Sequence, residues 1–297
     1  MLVLGIESAT PVASVALMDE TGLLGEIMLN VGLTHSEQLL PMIDDLLRQC
    51  RRKIREVTAI GVSAGPGSFT GLRIGMATAK GIVQGLSYAF AGASGEDCPS
   101  PQHAQYASPQ VQDRPAMPRL LAIPTTEAMC WQLMGQPVLV SPMLNARREQ
   151  IYTGLYRWTA EAEAHAEAQA QDEAAADASS LSAVFAARQR GKKDRMPASA
   201  GEVHFTLDCL IPPVALAAET WAVQLREWKD TIYLLGDGVA MYQEIWQRGL
   251  QENAHLMPPI AGLCRGSFVA MAAIDRLQRG LHVDDFYGIK PIYLRGI

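Results

Sequence analysis

The run Gly65-Pro66-Gly67-Ser68-Phe69-Thr70-Gly71-Leu72-Arg73-Ile74-Gly75 constrains this chain more than any other stretch. It follows Ala59-Ile60-Gly61-Val62-Ser63-Ala64, a short apolar run that reads as a buried strand. It leads into Met76 to Val83, which has helical spacing and almost no large polar residue. Each glycine inside a helix costs roughly 1 kcal/mol against alanine. That cost persists where something must come close to the backbone: a phosphate, a neighbouring helix or a partner protein.

The familiar phosphate motifs do not match. A Walker loop needs a lysine directly after its last glycine, and Lys80 lies far down the helix. A dinucleotide fingerprint needs its third glycine one residue earlier than Gly71. The loop therefore reads as a tight turn and the glycine ladder as a packing device. Gly71, Gly75 and Ala79 recur every four residues and share one helix face, and Gly81 and Gly85 extend a second smooth strip. Small residues at this spacing allow a second helix to approach closely. Spacing alone equally allows an internal helix packed on its own sheet.

A chain of 297 residues with 48% hydrophobic content can build two core-bearing domains. Its net charge of −6 argues against an unaided nucleic-acid binder, which needs a basic face. Cys50, Cys98, Cys130, Cys209 and Cys264 are scattered and never form a C-x-x-C pair, as expected of free thiols in a reducing compartment. The start Met1-Leu2-Val3-Leu4-Gly5 has no basic leader, and no apolar run is long enough to cross a bilayer. The expectation is a cytoplasmic protein without membrane contact.

Three strands are predicted before any helix: Leu2–Ile6, Ser14–Met18 and Leu23–Val31, the last two joined by a turn at Asp19–Gly22. That antiparallel start excludes a simple Rossmann fold. Thr34 and Glu37 form a capping box for a helix whose Leu39, Met42, Ile43, Leu46 and Leu47 line one face. Pro41 inside that pattern predicts a kink or a later start, and His35 reads as a capping or surface group. Residues 1–92 make a first lobe. The proline-rich stretch 93–118 reads as a flexible insertion. Residues 119–158 open a second lobe with the strand Leu120–Ile123, a helix from Thr125 or Thr126, and strands at Val138–Val140 and Gln150–Tyr156. Residues 159–204, rich in Ala, Glu and Gln and then basic through Lys192 and Lys193, read as a second insertion. Residues 205–297 complete the second lobe: a helix over Val214–Trp228, a strand over Thr231–Leu235, Gly236-Asp237-Gly238, two helices and a terminal strand Pro291–Leu294. The last helix is free to return to the first lobe.

Several of these stretches resemble the bacterial TsaB (YeaZ) family. They are Glu7-Ser8-Ala9-Thr10, Ser14-Val15-Ala16-Leu17, the His35–Leu47 helix, Gly65 to Gly75, Asn145-Ala146-Arg147, and Lys290-Pro291-Ile292-Tyr293-Leu294-Arg295. The likeness is close over Leu2 to about Gly92 and weak through the middle of the second half. It implies an α/β fold of mixed sheets with helices packed on them, the two-lobed fold shared by actin, Hsp70 and sugar kinases. It also implies a role in making threonylcarbamoyladenosine beside the anticodon of tRNAs that read codons beginning with A. In that pathway TsaD transfers the threonylcarbamoyl group, and TsaB-like chains bind TsaD and support it without carrying the transfer chemistry. TsaE, an ATPase, completes the bacterial set, and tRNA is met indirectly.

The residues agree with a non-catalytic role. TsaD-like enzymes hold a metal with a His-x-x-x-His pair, which none of the six histidines here forms, and the corresponding helix has Thr126-Glu127-Ala128-Met129. No catalytic residue and no metal ligand is therefore assigned. The partner face is expected on the two first-lobe helices, with Leu39, Ile43, Leu46 and Leu72 as apolar contacts and Gly71, Gly75 and Ala79 allowing close approach. The same patch is expected to pair with itself in a homodimer when TsaD is absent. The rival reading is an ATPase or kinase of the same fold that holds ATP or ADP through Glu7, Ser8, Thr10, Gly236, Asp237 and Gly238. Against turnover, Glu7 and Asn145 stand where the family usually has aspartate. A peptidase reading has no support, since no His–Glu zinc motif occurs and Ser68 has no histidine near it in sequence.

Overall fold

The computed structural model describes residues 1–30, 35–92, 117–162, 203–281 and 286–294. Nearly all of both expected insertions lies outside these residues.

The first half begins with β1 (Leu2–Glu7), β2 (Ala13–Asp19) and β3 (Gly22–Leu29). Then come α1 (His35–Gln49), β4 (Ala59–Gly65), α2 (Phe69–Gly92) and β5 (Arg119–Pro124). Their sheet has the order β3-β2-β1-β4-β5. β1 pairs antiparallel with β2, and β2 with β3, while β4 runs parallel to both β1 and β5.

The second half contains α3 (Thr125–Cys130), β6 (Leu139–Asn145), β7 (Gln150–Ala162), β8 (Val203–Ala217) and α4 (Ala218–Leu225). It continues with β9 (Ile232–Leu235), α5 (Asp237–Met241), α6 (Gln243–Leu250), β10 (Ala254–Leu256) and α7 (Gly266–Gln278). The second sheet, read from its other edge, is β8-β7-β6-β9-β10. β6 and β8 both pair antiparallel with β7, whereas β6–β9 and β9–β10 are parallel. One strand order and one set of directions thus occurs twice.

Packing follows from which faces the strands leave apolar. β1 and β4 are buried along their whole length, as strands covered on both faces must be. On one face, Leu39, Met42, Ile43 and Leu46 of α1 and Met76, Ala79 and Val83 of α2 pack on Leu4, Ile6, Ile60 and Val62. On the other face, α7 lies so close that a Cβ added at Gly5 would sit 2.0 Å from the Gly266 carbonyl oxygen. α7 and α3 fill the space between the sheets, where Val269 and Ala273 meet Met129, Tyr156 and Trp158 in one core. Trp221 of α4 and Trp246 of α6 close the far face of the second sheet.

Three sequence expectations need correction. Arg119–Pro124 does not open the second lobe; it pairs with β4 as the edge of the first sheet. Val214–Ala217 is not helical but pairs with Thr153–Gln150 as the end of β8, and the helix begins only at Ala218. The apolar run Val-Ala-Leu-Ala satisfies either period, and a free partner edge on β7 decides it. Residues 291–294 form no strand; Ile292 docks by a single backbone bond from its N–H to the Ala64 carbonyl, 2.6 Å. α1 runs from His35 through Pro41 without interruption, its proline on the exposed side.

Candidate functional site

β1 ends at Glu7 and β4 at Gly65, side by side, so the turn after β1 and the glycine loop after β4 meet. Ser68 starts α2: its Oγ accepts the Gly71 N–H at 3.2 Å, satisfying one of the amides that a helix start leaves open. The Ser68 N–H donates to the Ala9 carbonyl at 2.7 Å, and Ser8 Oγ donates to the Gly71 carbonyl at 2.9 Å. At this contact a Cβ on Gly67 would lie 2.4 Å from the Ala9 oxygen, one on Gly71 2.0 Å from the Ser8 oxygen, and one on Gly75 2.2 Å from Ser8 Oγ. The close approach that these glycines permit is made by the chain's own Ser8–Ala9 turn.

This corrects the expected partner face. Leu39, Ile43, Leu46, Leu72 and Ala79 are all at most 4% exposed, and Gly71 and Gly75 are buried. A helix's apolar stripe turns to its own sheet, and these seven positions are that stripe. What α2 turns outward is Phe69, Arg73, Ala77, Gly81, Gln84, Gly85 and Tyr88. Among the described residues, a Cβ on Gly81 or on Gly85 would meet no neighbouring atom within 4 Å. Beside α2, α1 exposes Leu40 (57%), Pro41 and Asp44.

The six residues considered for a nucleotide fall into two loops, each covered by the chain itself. Glu7 and Ser8 are fully buried and Thr10 is nearly so. Both Glu7 oxygens are engaged: Oε1 accepts the Thr10 N–H at 3.0 Å and Oε2 accepts the Cys264 thiol at 3.3 Å. Burial raises the Glu7 carboxyl above its ordinary value, against hydrogen bonds from Ser63, Cys264, Thr10 and Ala9 that favour the anion. Burial and the Glu7 charge push the Cys264 thiol well up. In the second loop Gly236 has φ +114°, and a Cβ there would lie 2.2 Å from the Met143 oxygen. A Cβ on Gly262 would in turn lie 2.5 Å from the Gly236 nitrogen. Gly262-Leu263-Cys264 therefore spans from one loop to the other, touching Gly236 at one end and Glu7 at the other. Of the six, only Asp237 is exposed, and its Oδ1 accepts the Asn145 N–H at 2.9 Å.

The helix terminus between the lobes is also taken. Glu26 Oε1 accepts the backbone and hydroxyl hydrogens of Ser267, both at 3.0 Å, and that of Ser14 Oγ at 3.0 Å. A carboxylate of the chain thus sits at the N-terminus of α7, where an anion is favoured. No sequence motif marked Glu26, Gly262 or Cys264, because their neighbours come from distant segments. Among the described residues no group of three His, Cys, Asp or Glu side chains is placed to hold a metal ion. No helix among them is long and apolar enough to cross a membrane.

A five-strand pattern used twice, with helices between and outside the sheets, defines a two-lobed α/β protein of the actin, Hsp70 and sugar-kinase fold class. The family model for TsaD, tRNA N6-adenosine threonylcarbamoyltransferase, matches residues 30–94. The tRNA threonylcarbamoyladenosine biosynthesis protein TsaB of Bacillus subtilis strain 168 is 27% identical over 158 residues, 53% of this chain and 56% of that protein. Its namesake from Escherichia coli K12 is 34% identical over 97 residues, covering 32% and 40%. The chain thus spans about half, or less, of the length of these curated relatives. A Pseudomonas aeruginosa protein described as similar to peptidase YeaZ has a TM-score of 0.60 at 20% identity, with 99% of both chains covered. A YeaZ structure from the same species gives 0.59 at 19%, again over 99% of both. The chain is thus similar in sequence, over part of its length, to TsaB proteins, and in fold to YeaZ structures.

Proposed function

We propose that this chain is a subunit needed for threonylcarbamoylation of the adenosine next to the anticodon in tRNAs reading codons that begin with A. In this role it binds and supports a TsaD-like transferase, works beside a TsaE-like ATPase, and carries no transfer chemistry of its own. The observation behind the reading is the outward strip of α2. Gly81 and Gly85 lie one turn apart in a 24-residue helix, each at a cost of roughly 1 kcal/mol, and among the described residues no neighbouring atom comes near enough to require them. A partner helix packed backbone-to-backbone on that strip supplies the reason. α1, which packs beside α2, adds the exposed Leu40, and without TsaD the strip is the face on which two copies would pair.

The covered loops favour this reading over an ATPase or kinase. A nucleotide bound through Glu7, Ser8, Thr10, Gly236 and Gly238 would first have to displace Gly262–Cys264. The test is size-exclusion chromatography with light scattering on the full chain mixed with TsaD from the same organism. A co-eluting complex is expected, lost on Gly85→Leu, with the melting temperature of the isolated chain kept or raised. Separate elution of the wild-type proteins at micromolar concentration would sink the reading, and nucleotide hydrolysis would be assayed next.

A further inference from the structure

The tail Phe286–Leu294 lies along α2 on a different flank from the glycine strip. Ile289 is buried in the first-lobe core, and the Ile292 N–H bonds to Ala64. At one end Lys80 Nζ sits 5.7 Å from the centre of the Phe286 ring. At the other, the Tyr293 and Phe69 ring centres lie 5.1 Å apart with the rings tilted by 36°, the Arg73 guanidinium lies 3.8 Å over the Phe69 ring, and Arg73 Nε donates to the Tyr293 hydroxyl at 3.2 Å. Arg73 and Lys80 are two helical turns apart and share a flank; Gly81 and Gly85 lie about 100° further round.

Three properties of this ridge point the same way. Its rings are open, with Phe69 40%, Tyr293 39% and Tyr287 66% exposed. Its cations are Arg73, Lys80 and Lys290, and neither α2 nor the tail 286–294 contains an acidic residue, in a chain whose net charge is −6. None of the three cations pairs with a carboxylate among the described residues. Arg73 is also held ready: one ring covers its face and Tyr293 takes its Nε, which leaves the two Nη groups to bind an anion. Rings that accept a base on their faces, beside fixed cations that accept phosphate, are what unpaired nucleotides need.

We infer that this ridge is a contact surface for a single-stranded segment of RNA. The choice of RNA over DNA rests on the proposed function; the ridge itself does not. The inference replaces the expectation that tRNA is met only through another subunit, and it reconciles RNA contact with an acidic chain by confining the contact to one ridge.

The test is fluorescence anisotropy of a labelled twelve-nucleotide single-stranded RNA titrated with the full chain, with a duplex RNA of equal length for comparison. The single strand is expected to bind more tightly than the duplex. Arg73→Glu should weaken binding about tenfold or more and reduce the slope of log affinity against log salt by roughly 0.7 for each phosphate that is no longer neutralised. Tyr287→Ala, at a ring that is mostly exposed, should cost about fivefold or more. Both variants should still co-elute with TsaD, because the glycine strip is untouched. No wild-type binding up to about 100 μM protein in low salt, or an Arg73→Glu chain that binds like wild type, overturns the inference. So does an Arg73→Glu chain that loses TsaD and keeps RNA, which would make the ridge a protein interface. If the wild-type chain binds RNA and never binds TsaD, the ridge stands and the partnership falls.

Discussion

The glycines of α2 allow one helix to be probed from both sides with the same substitution. Replacing Gly81 and Gly85 together by alanine puts two methyl groups into open space, since among the described residues no neighbouring atom lies within 4 Å of either added Cβ. Helix propensity then acts alone, and the isolated chain should gain about 1–2 kcal/mol in total. For a protein of this size that corresponds to a rise of roughly 2–6 °C in melting temperature. Gly75→Ala has the same intrinsic gain but drives its methyl to 2.2 Å from Ser8 Oγ, which must move and release the Gly71 carbonyl. Overpacking of about 1–3 kcal/mol and a broken buried hydrogen bond of about 1 kcal/mol outweigh the gain, leaving a net loss of roughly 1–3 kcal/mol. Scanning calorimetry of the three proteins decides the matter. A Gly81/Gly85 double variant that melts below wild type would refute the outward placement of the strip. A Gly75→Ala chain that melts above it would refute the assignment of Ser8 as the neighbour that needs the glycine.

Two further outcomes follow from the loop geometry. Ser68→Ala removes the side-chain cap on the Gly71 N–H and should lower stability by about 0.5–2 kcal/mol in urea unfolding, with Ser68→Asp or Ser68→Asn recovering most of it. Glu7 has its folded pKa raised above the unfolded value, so the folded state holds its proton more tightly. Its contribution to stability is therefore full below the unfolded pKa and declines as pH rises through the folded pKa. Subtracting the urea stability of Glu7→Gln from that of wild type, pH by pH from about 4 upward, should give a curve that falls with pH; a curve that rises would reverse the sign assigned to burial.

Much of the first half was legible because its signals are local. The Asp19–Gly22 turn, the apolar strand before Gly65 and the stripe Leu39, Met42, Ile43, Leu46 all appear where the spacing puts them. The same stripe misled as to function: spacing shows which residues share a face but not whether sheet or solvent lies opposite. α2 is apolar on most sides, so spacing separated the Gly71/Gly75 face from the Gly81/Gly85 strip without showing that the first is buried and the second open. Gln84 carried the missing signal: its polar side chain marks the side of α2 turned away from the sheet, where Gly81 and Gly85 are also exposed. β8 was misread for a different reason. Val214–Ala217 has no periodicity to separate strand from helix, and its partner lies beyond a long intervening stretch. Gly262–Cys264 had no signal at all, since its meaning comes from touching two loops that are each remote in sequence.

β7 and β8 remain in register out to Ala162 opposite Val203, well past the point where β6 stops pairing with β7 at Arg157. The ribbon holds its own alignment through cross-strand pairs such as Thr159 with Thr206, whose hydroxyls are 2.5 Å apart. Whatever joins 162 to 203 need not supply register, only closure, and closure is cheap: each halving of the connecting length returns about 0.6 kcal/mol. The junction is therefore a natural splice point, where the present segment can be shortened to a turn, or a reporter domain spliced in, with the two strands of the ribbon left paired as they are.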